Sequence, residues 1–167
     1  ITYGQVAHVA TLELTYAGTL SATAYVSLVD TTLNTAQPCD DGTVAAASAG
    51  TTQSGSIQAS GSVVTMDTTG LDTSKTFSVC YTPTGGSSSD TWVDAGIRLT
   101  VSKVTKITYG LASSSFPVRE MHGIFVSTNV LPQVVDITVT YHGATIGTDK
   151  WLSLVDASLS SSNPCHF

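Results

Sequence analysis

The chain has 167 residues, a net charge of −6, a pI near 4.8, 11% charged residues and 41% apolar ones. This balance excludes a nucleic-acid partner, since displacing the counterions of a phosphate polyanion needs a basic stripe. The basic residues Lys75, Arg98, Lys103, Lys106, Arg119 and Lys150 are scattered instead. It also excludes a helical membrane span, because no apolar run approaches the ~20 residues required.

The length suits one ordinary domain or two small ones. Serine and threonine make up roughly three residues in ten, well above ordinary usage. The chain opens on Ile1 without an initiator methionine, which reads as a processed mature protein or a section of a longer one.

Nearly every legible element is β. Residues 1–10, "ITYGQVAHVA", are extended and almost uncharged, and the pattern leaves them outside the first predicted strand. "TLELTY" (11–16) places Leu12, Leu14 and Tyr16 on one face, as a half-buried strand does. "ATAYVSLVD" (22–30) follows after a turn at Gly18. The Gly/Ala/Ser/Thr-rich stretch 40–62 reads as a long loop with weak edge strands. Strands are then predicted over 62–69, 75–82 and 95–109, the last two joined by the Gly/Ser turn "PTGGSSSD" (83–90). Further on come "GIFVST" (123–128), "VVDITVTY" (134–141) and "KWLSLVD" (150–156).

The chain repeats itself. "YVSLVDTTLNTAQPC" (25–39) returns as "WLSLVDASLSSSNPC" (151–165), and "VATLELTYAG" (9–18) aligns with "VVDITVTYHG" (134–143). "ITYG" occurs at 1–4 and again at 107–110. A spacing near 126 residues fits tandem sandwich-sized modules. The boundaries follow: an extended segment 1–10, a first module 11–109, and a partial second module 110–167 that lacks counterparts of strands 62–109.

The cysteines are Cys39, Cys80 and Cys165. They read either as a Cys39–Cys80 bridge with Cys165 left over, or as three thiols in a reducing compartment. Low charge, the hydroxyl-rich composition and the lack of any CxxC pattern favour the bridge and an oxidising compartment.

"GLDTSKTFSVCYT" (70–82) resembles the corner between strands E and F of immunoglobulin-like and fibronectin type III domains, where a leucine plugs the core. Phe77 stands where those families carry tyrosine. The resemblance implies an all-β Greek-key sandwich, arranged here as tandem modules. The second would be completed by chain continuation or by a neighbouring chain.

Hydroxyl-rich sandwich modules with the repeated "SLVD…PC" phrase are also similar to subunits of extracellular fibrils, such as donor-strand pili and surface filaments of algae or microbes. That likeness implies a secreted, cell-surface structural polymer whose partners are copies of itself, with O-linked sugars on stretches such as 51–56, 87–89 and 160–162. Strand complementation would use Ile1, Thr2, Tyr3, Val6 and Val9 as donor. The acceptor would be the apolar residues Ile124, Val126, Val135, Ile137, Val139, Trp151 and Leu154. Head-to-tail use of two different surfaces does not close and so generates a filament.

The alternative is a secreted adhesin or carbohydrate-binding module, with Trp92 beside the 83–90 turn as its stacking aromatic. Nothing points to an enzyme. His8, His122, His142 and His166 lack metal-ligand spacing, and "CDDGT" (39–43) lacks the spaced acidic ligands of a calcium loop. No G-x-S-x-G elbow or phosphate-binding loop is present, so no catalytic residue, metal or cofactor is expected.

Overall fold

The computed structural model describes residues 1–110, 119–122, 131, 133, 135–143, 146–162 and 164–165, with 119–122 as backbone. It is an all-β molecule with very little helix. The first sheet contains β1 (Thr2–Val6), β3 (Tyr25–Asp30), β4 (Ile57–Gln58), β6 (Thr76–Thr82) and β7 (Val93–Val101), in the order β1-β7-β6-β3-β4. The second pairs β2 (Leu12–Thr15) with β5 (Val63–Met66). A third contains β8 (Val104–Tyr109), β9 (Arg119–His122) and β10 (Val139–Gly143), in the order β10-β8-β9.

Period-two alternation explains how the first two sheets meet. On β3, Val26 and Leu28 point to one face while Tyr25 and Val29 point to the other. The first face shares a cluster with Val64 and Met66 of β5, Phe77 of β6, Val101 of β7 and Val6 of β1. Leu71 enters the same cluster from the corner between β5 and β6, as the leucine of "GLDTSK" was expected to do.

The opposite face is covered by the chain between β3 and β4. There Val29, Cys39, Ala45, Cys80 and Trp92 pack together, and Cys39 and Cys80 form a disulfide with a Cα–Cα distance of 5.3 Å. Residues 40–62, expected to be a long loop with weak edge strands, include the two-residue edge strand β4 and also the short helix α1 (Gly42–Ala45), started by the Asp41 side chain accepting from the Thr43 amide. Small residues suit this close cover: Ser27 and Ser78 are fully buried on the β3 and β6 strands it overlies.

Two expectations are corrected. The strand foreseen over 95–109 breaks at Ser102–Lys103, and β8 turns away to join the third sheet. The strands of the first two sheets therefore end at Val101. Residues 1–10 do not stand apart from those sheets either. β1 pairs in parallel with β7, from Thr2 opposite Ile97 to Val6 opposite Val101, and Val6 and Ala7 are buried. Val9 is held at Thr68, whose Oγ1 accepts from the Val9 amide at 2.9 Å.

Some of the Ser and Thr residues serve turns centred on an Asp. In the triplets beginning at Asp30, Asp41, Asp67, Asp72 and Asp156, the Oδ1 atom accepts from both the amide and the hydroxyl of the residue two ahead. Such side-chain turns give the backbone local hydrogen bonds outside the ladders, after β3 at Asp30, after β5 at Asp67 and at the start of α1 at Asp41. Hydroxyl and amide donation holds the carboxyls of Asp41, Asp67 and Asp72 below the ordinary range.

Candidate assembly surface

The doubled phrase lies in two different environments. In β3, Tyr25–Asp30 runs between β4 and β6, paired with β6 from Tyr25 opposite Thr82 to Asp30 opposite Phe77. Its counterpart, residues 151–156, makes no ladder among the described residues and is exposed throughout. Leu28 is fully buried, whereas Leu154 is 72% exposed; Trp151 is bare to solvent where Tyr25 is half-buried. Leu152 and Val155 are exposed as well.

The turns that follow nevertheless match. Asp30 Oδ1 accepts from Thr32, and Asp156 Oδ1 accepts in the same way from Ser158. The Leu33 amide donates to the Asp30 carbonyl at 3.1 Å, and that of Leu159 to Asp156 at 3.2 Å. Both copies then enter left-handed backbone, Asn34, Thr35 and Ala36 in one and Ser160 and Ser161 in the other. Local hydrogen bonding thus fixes the turn wherever the phrase occurs, while strand and burial depend on a partner.

The charged end of the strand shows the same contrast. Asp30 is buried and paired with Lys75. Burial acts most strongly on it and pushes its pKa up, but bonds from Lys75 and Thr32 together outweigh that and leave it lowered. Asp156 is exposed, and it is lowered by the Ser158 amide and hydroxyl. Cys39 is bridged to Cys80, while its counterpart Cys165 is a free, exposed thiol.

Of the other expected acceptor residues, Val135 is exposed and Ile137 and Val139 are half-buried. Ile124 and Val126 lie outside the described residues, as does strand 123–128. The strand foreseen over 134–141 is displaced to β10, and that foreseen over 150–156 is absent from any described ladder. Among the expected donors, Thr2, Tyr3 and Val6 are already engaged with β7, although Ile1 and Tyr3 project their side chains into solvent.

Trp92 corrects the expectation of a surface aromatic. It is 5% exposed, packs beside the disulfide, and donates its indole N–H to the Ser87 carbonyl at 3.0 Å. No cluster of His, Cys, Asp or Glu able to hold a metal occurs among the described residues.

Sequence reasoning missed a groove of about 640 Å³ between the first two sheets. The two-stranded sheet covers only part of its five-stranded partner. Under β5 the core is closed, with Val64 and Met66 fully buried, whereas Leu12 and Leu14 of β2 remain half-buried. The groove is walled by Leu14 and Thr15 at the end of β2 and by residues 16–20 that follow, with Val79, Tyr81, Ile97 and Leu99 opposite. A bulge in β7 shapes this wall. Gly96, at φ 71°, donates its amide to Asp94, and Arg98 grips the same carboxylate at 2.8 and 2.6 Å.

No protein-family model matches the chain, and neither the curated proteins nor the solved structures contain a match to it.

Proposed function

We propose that the chain is a structural subunit of an extracellular filament, assembled head to tail by β-strand complementation. The carrying observation is the phrase at 151–156. It has the sequence of a core strand, the turn of a core strand and none of its cover. Exposing Trp151, Leu152, Leu154 and Val155 together is costly in water, and a strand without a ladder is a template for pairing.

The module reading is of the immunoglobulin-like, Greek-key kind. Its support is the strand order β1-β7-β6-β3-β4 over β2-β5, with β1 parallel to β7 and a leucine-plugged corner before β6. A second module of the same kind would begin with β8, which carries the second "ITYG", and include β10. The Cys39–Cys80 bridge is compatible with an extracellular place, and no helix among the described residues is long and apolar enough to cross a membrane. Exposed hydroxyls such as those of Ser160 and Ser161 are the positions offered for O-linked sugar.

The carbohydrate-binding alternative loses its aromatic, since Trp92 is enclosed. The test is electron microscopy of the purified chain across a concentration series. Fibres or open-ended oligomers are the expected result. A particle that stays at the monomer mass of 17.2 kDa at every concentration overturns the proposal.

A further inference from the structure

We infer that Cys165 is one half of a disulfide whose other half is carried by a strand of the β6 kind, laid antiparallel along residues 151–156 with its cysteine opposite Ser153. This rests on the complementation in the filament reading and goes beyond it, because it states the register, the charge and the thiol of the completing strand.

The chain holds its own reference for this pairing. In the first copy of the phrase, β6 runs beside β3 with Tyr25 opposite Thr82, Ser27 opposite Cys80 and Asp30 opposite Phe77. Cys39, further along the phrase, reaches back to bond Cys80. Ser153 and Cys165 are spaced as Ser27 and Cys39 are. The Asp-centred turn and the left-handed backbone that lie between recur as well. A thiol held in the place of Cys39 therefore has its partner's position fixed.

Three unmet needs of the second copy agree on the strand. Cys165 is free and exposed, while Cys39 and Cys80 are bonded to each other. Leu152 and Leu154 are exposed, whereas their counterparts Val26 and Leu28 pack with Phe77, Val79 and Tyr81 on the face of β6 away from Cys80. Lys75, just before β6, pairs with the buried Asp30, but no base acts on Asp156 among the described residues. A base, then alternate apolar residues, with a cysteine on the opposite face, meets all three. β6 itself is closed in its own bridge, so the strand is another of its kind with the thiol free.

The bond forms by thiol–disulfide exchange with a small disulfide such as oxidised glutathione. The Cys165 thiolate attacks one of its sulfurs and releases one glutathione thiolate. The strand's thiolate then attacks the Cys165 sulfur and releases the second, so two cysteines are joined while one disulfide is reduced to two thiols. Exposure leaves Cys165 open to this attack, and pairing beside Ser153 raises the effective concentration of the incoming thiol.

The test gives the full-length chain a labelled peptide with the sequence of residues 75–82, "KTFSVCYT", in a glutathione redox buffer. Peptide mapping by mass spectrometry reads which cysteine it joins. Cys165 is expected to take this peptide at least ~10-fold in preference to a control of the same composition whose apolar residues are moved to the cysteine's face. The amides of residues 151–155 should become protected from hydrogen exchange in the joined product. Leu152→Asp/Leu154→Asp, at exposed positions, should fold as the parent does by near-ultraviolet circular dichroism, keep the thiol, and lose the preference.

Equal uptake of the two peptides, or a joined product whose amides stay unprotected, would overturn the assignment and leave Cys165 an ordinary exposed thiol. Fibres of the parent chain with Cys165 still reduced would overturn it too, while leaving the filament reading standing. Selective capture by a parent that never assembles alone would uphold the assignment and overturn assembly from copies of this chain.

Discussion

Leu28 and Leu154 occupy matching positions in the doubled phrase, so truncating each to alanine separates what sequence encodes from what surroundings supply. Leu28 is fully buried among Val64, Met66 and Phe77. Its loss removes transfer energy and leaves a cavity, a cost of about 3 kcal/mol within the usual range for buried leucines. For a chain of this length each kcal/mol moves the melting point by about 2–4 °C, so Leu28→Ala should lower it by about 6–12 °C.

Leu154 is 72% exposed and has little burial to lose, so Leu154→Ala should change stability by less than about 0.5 kcal/mol. Its effect should fall on association, which is expected to weaken about tenfold. Urea unfolding of dilute samples measures the first quantity and sedimentation velocity the second. If dilute Leu154→Ala loses as much stability as Leu28→Ala, segment 151–156 is buried within its own chain and the reasoning fails.

Removing the disulfide with Cys39→Ser/Cys80→Ser frees a loop of 41 residues and should cost about 4 kcal/mol by loop entropy, read from urea midpoints in matched buffers. Thiol titration of the folded parent should find Cys165 reactive and the bridged pair silent. The pKa of Asp30 is lowered from its ordinary 3.8, so its contribution holds above that pH and is lost as the pH falls through the lower folded value. Asp30→Asn should flatten that part of the acid-unfolding curve. Gly86→Ala should destabilise by about 1–3 kcal/mol, since Gly86 sits at φ 70° and a Cβ there would run into the Tyr25 ring. At Gly61, also at positive φ but in open space, the same change should cost less.

Alternation made the first two sheets legible. Leu12 and Leu14, Val26 and Leu28, and Phe77 and Tyr81 each mark a strand face, and Leu71 marks the corner. The cysteine pairing was legible from composition, although a reduced reading stayed open until Cys39 and Cys80 were placed together. The break at Ser102–Lys103 was read through although two adjacent polar residues interrupt the alternation of Ile97, Leu99 and Val101, and the change of sheet between β7 and β8 is not recorded in the sequence. Trp92 was misread because an aromatic near a Gly/Ser turn carries no sign of whether the chain between β3 and β4 covers it.

The groove was invisible for a related reason. β2 and β5 have the same alternation, and nothing in "LELT" records that one edge of its strand is left without a neighbour. The phrase at 151–156 shows the limit most plainly. Six residues nearly identical to β3 keep the Asp-centred turn, which is a matter of nearby donors, and lose the strand, which requires another strand beside it.

Hydrogen exchange at the amides of residues 151–155, followed against protein concentration, bears most directly on the proposed complementation. In dilute solution these amides should exchange as fast as an unstructured peptide, and they should become protected as concentration rises and copies pair. Protection that is already full at high dilution, or that never develops in concentrated samples, would contradict it.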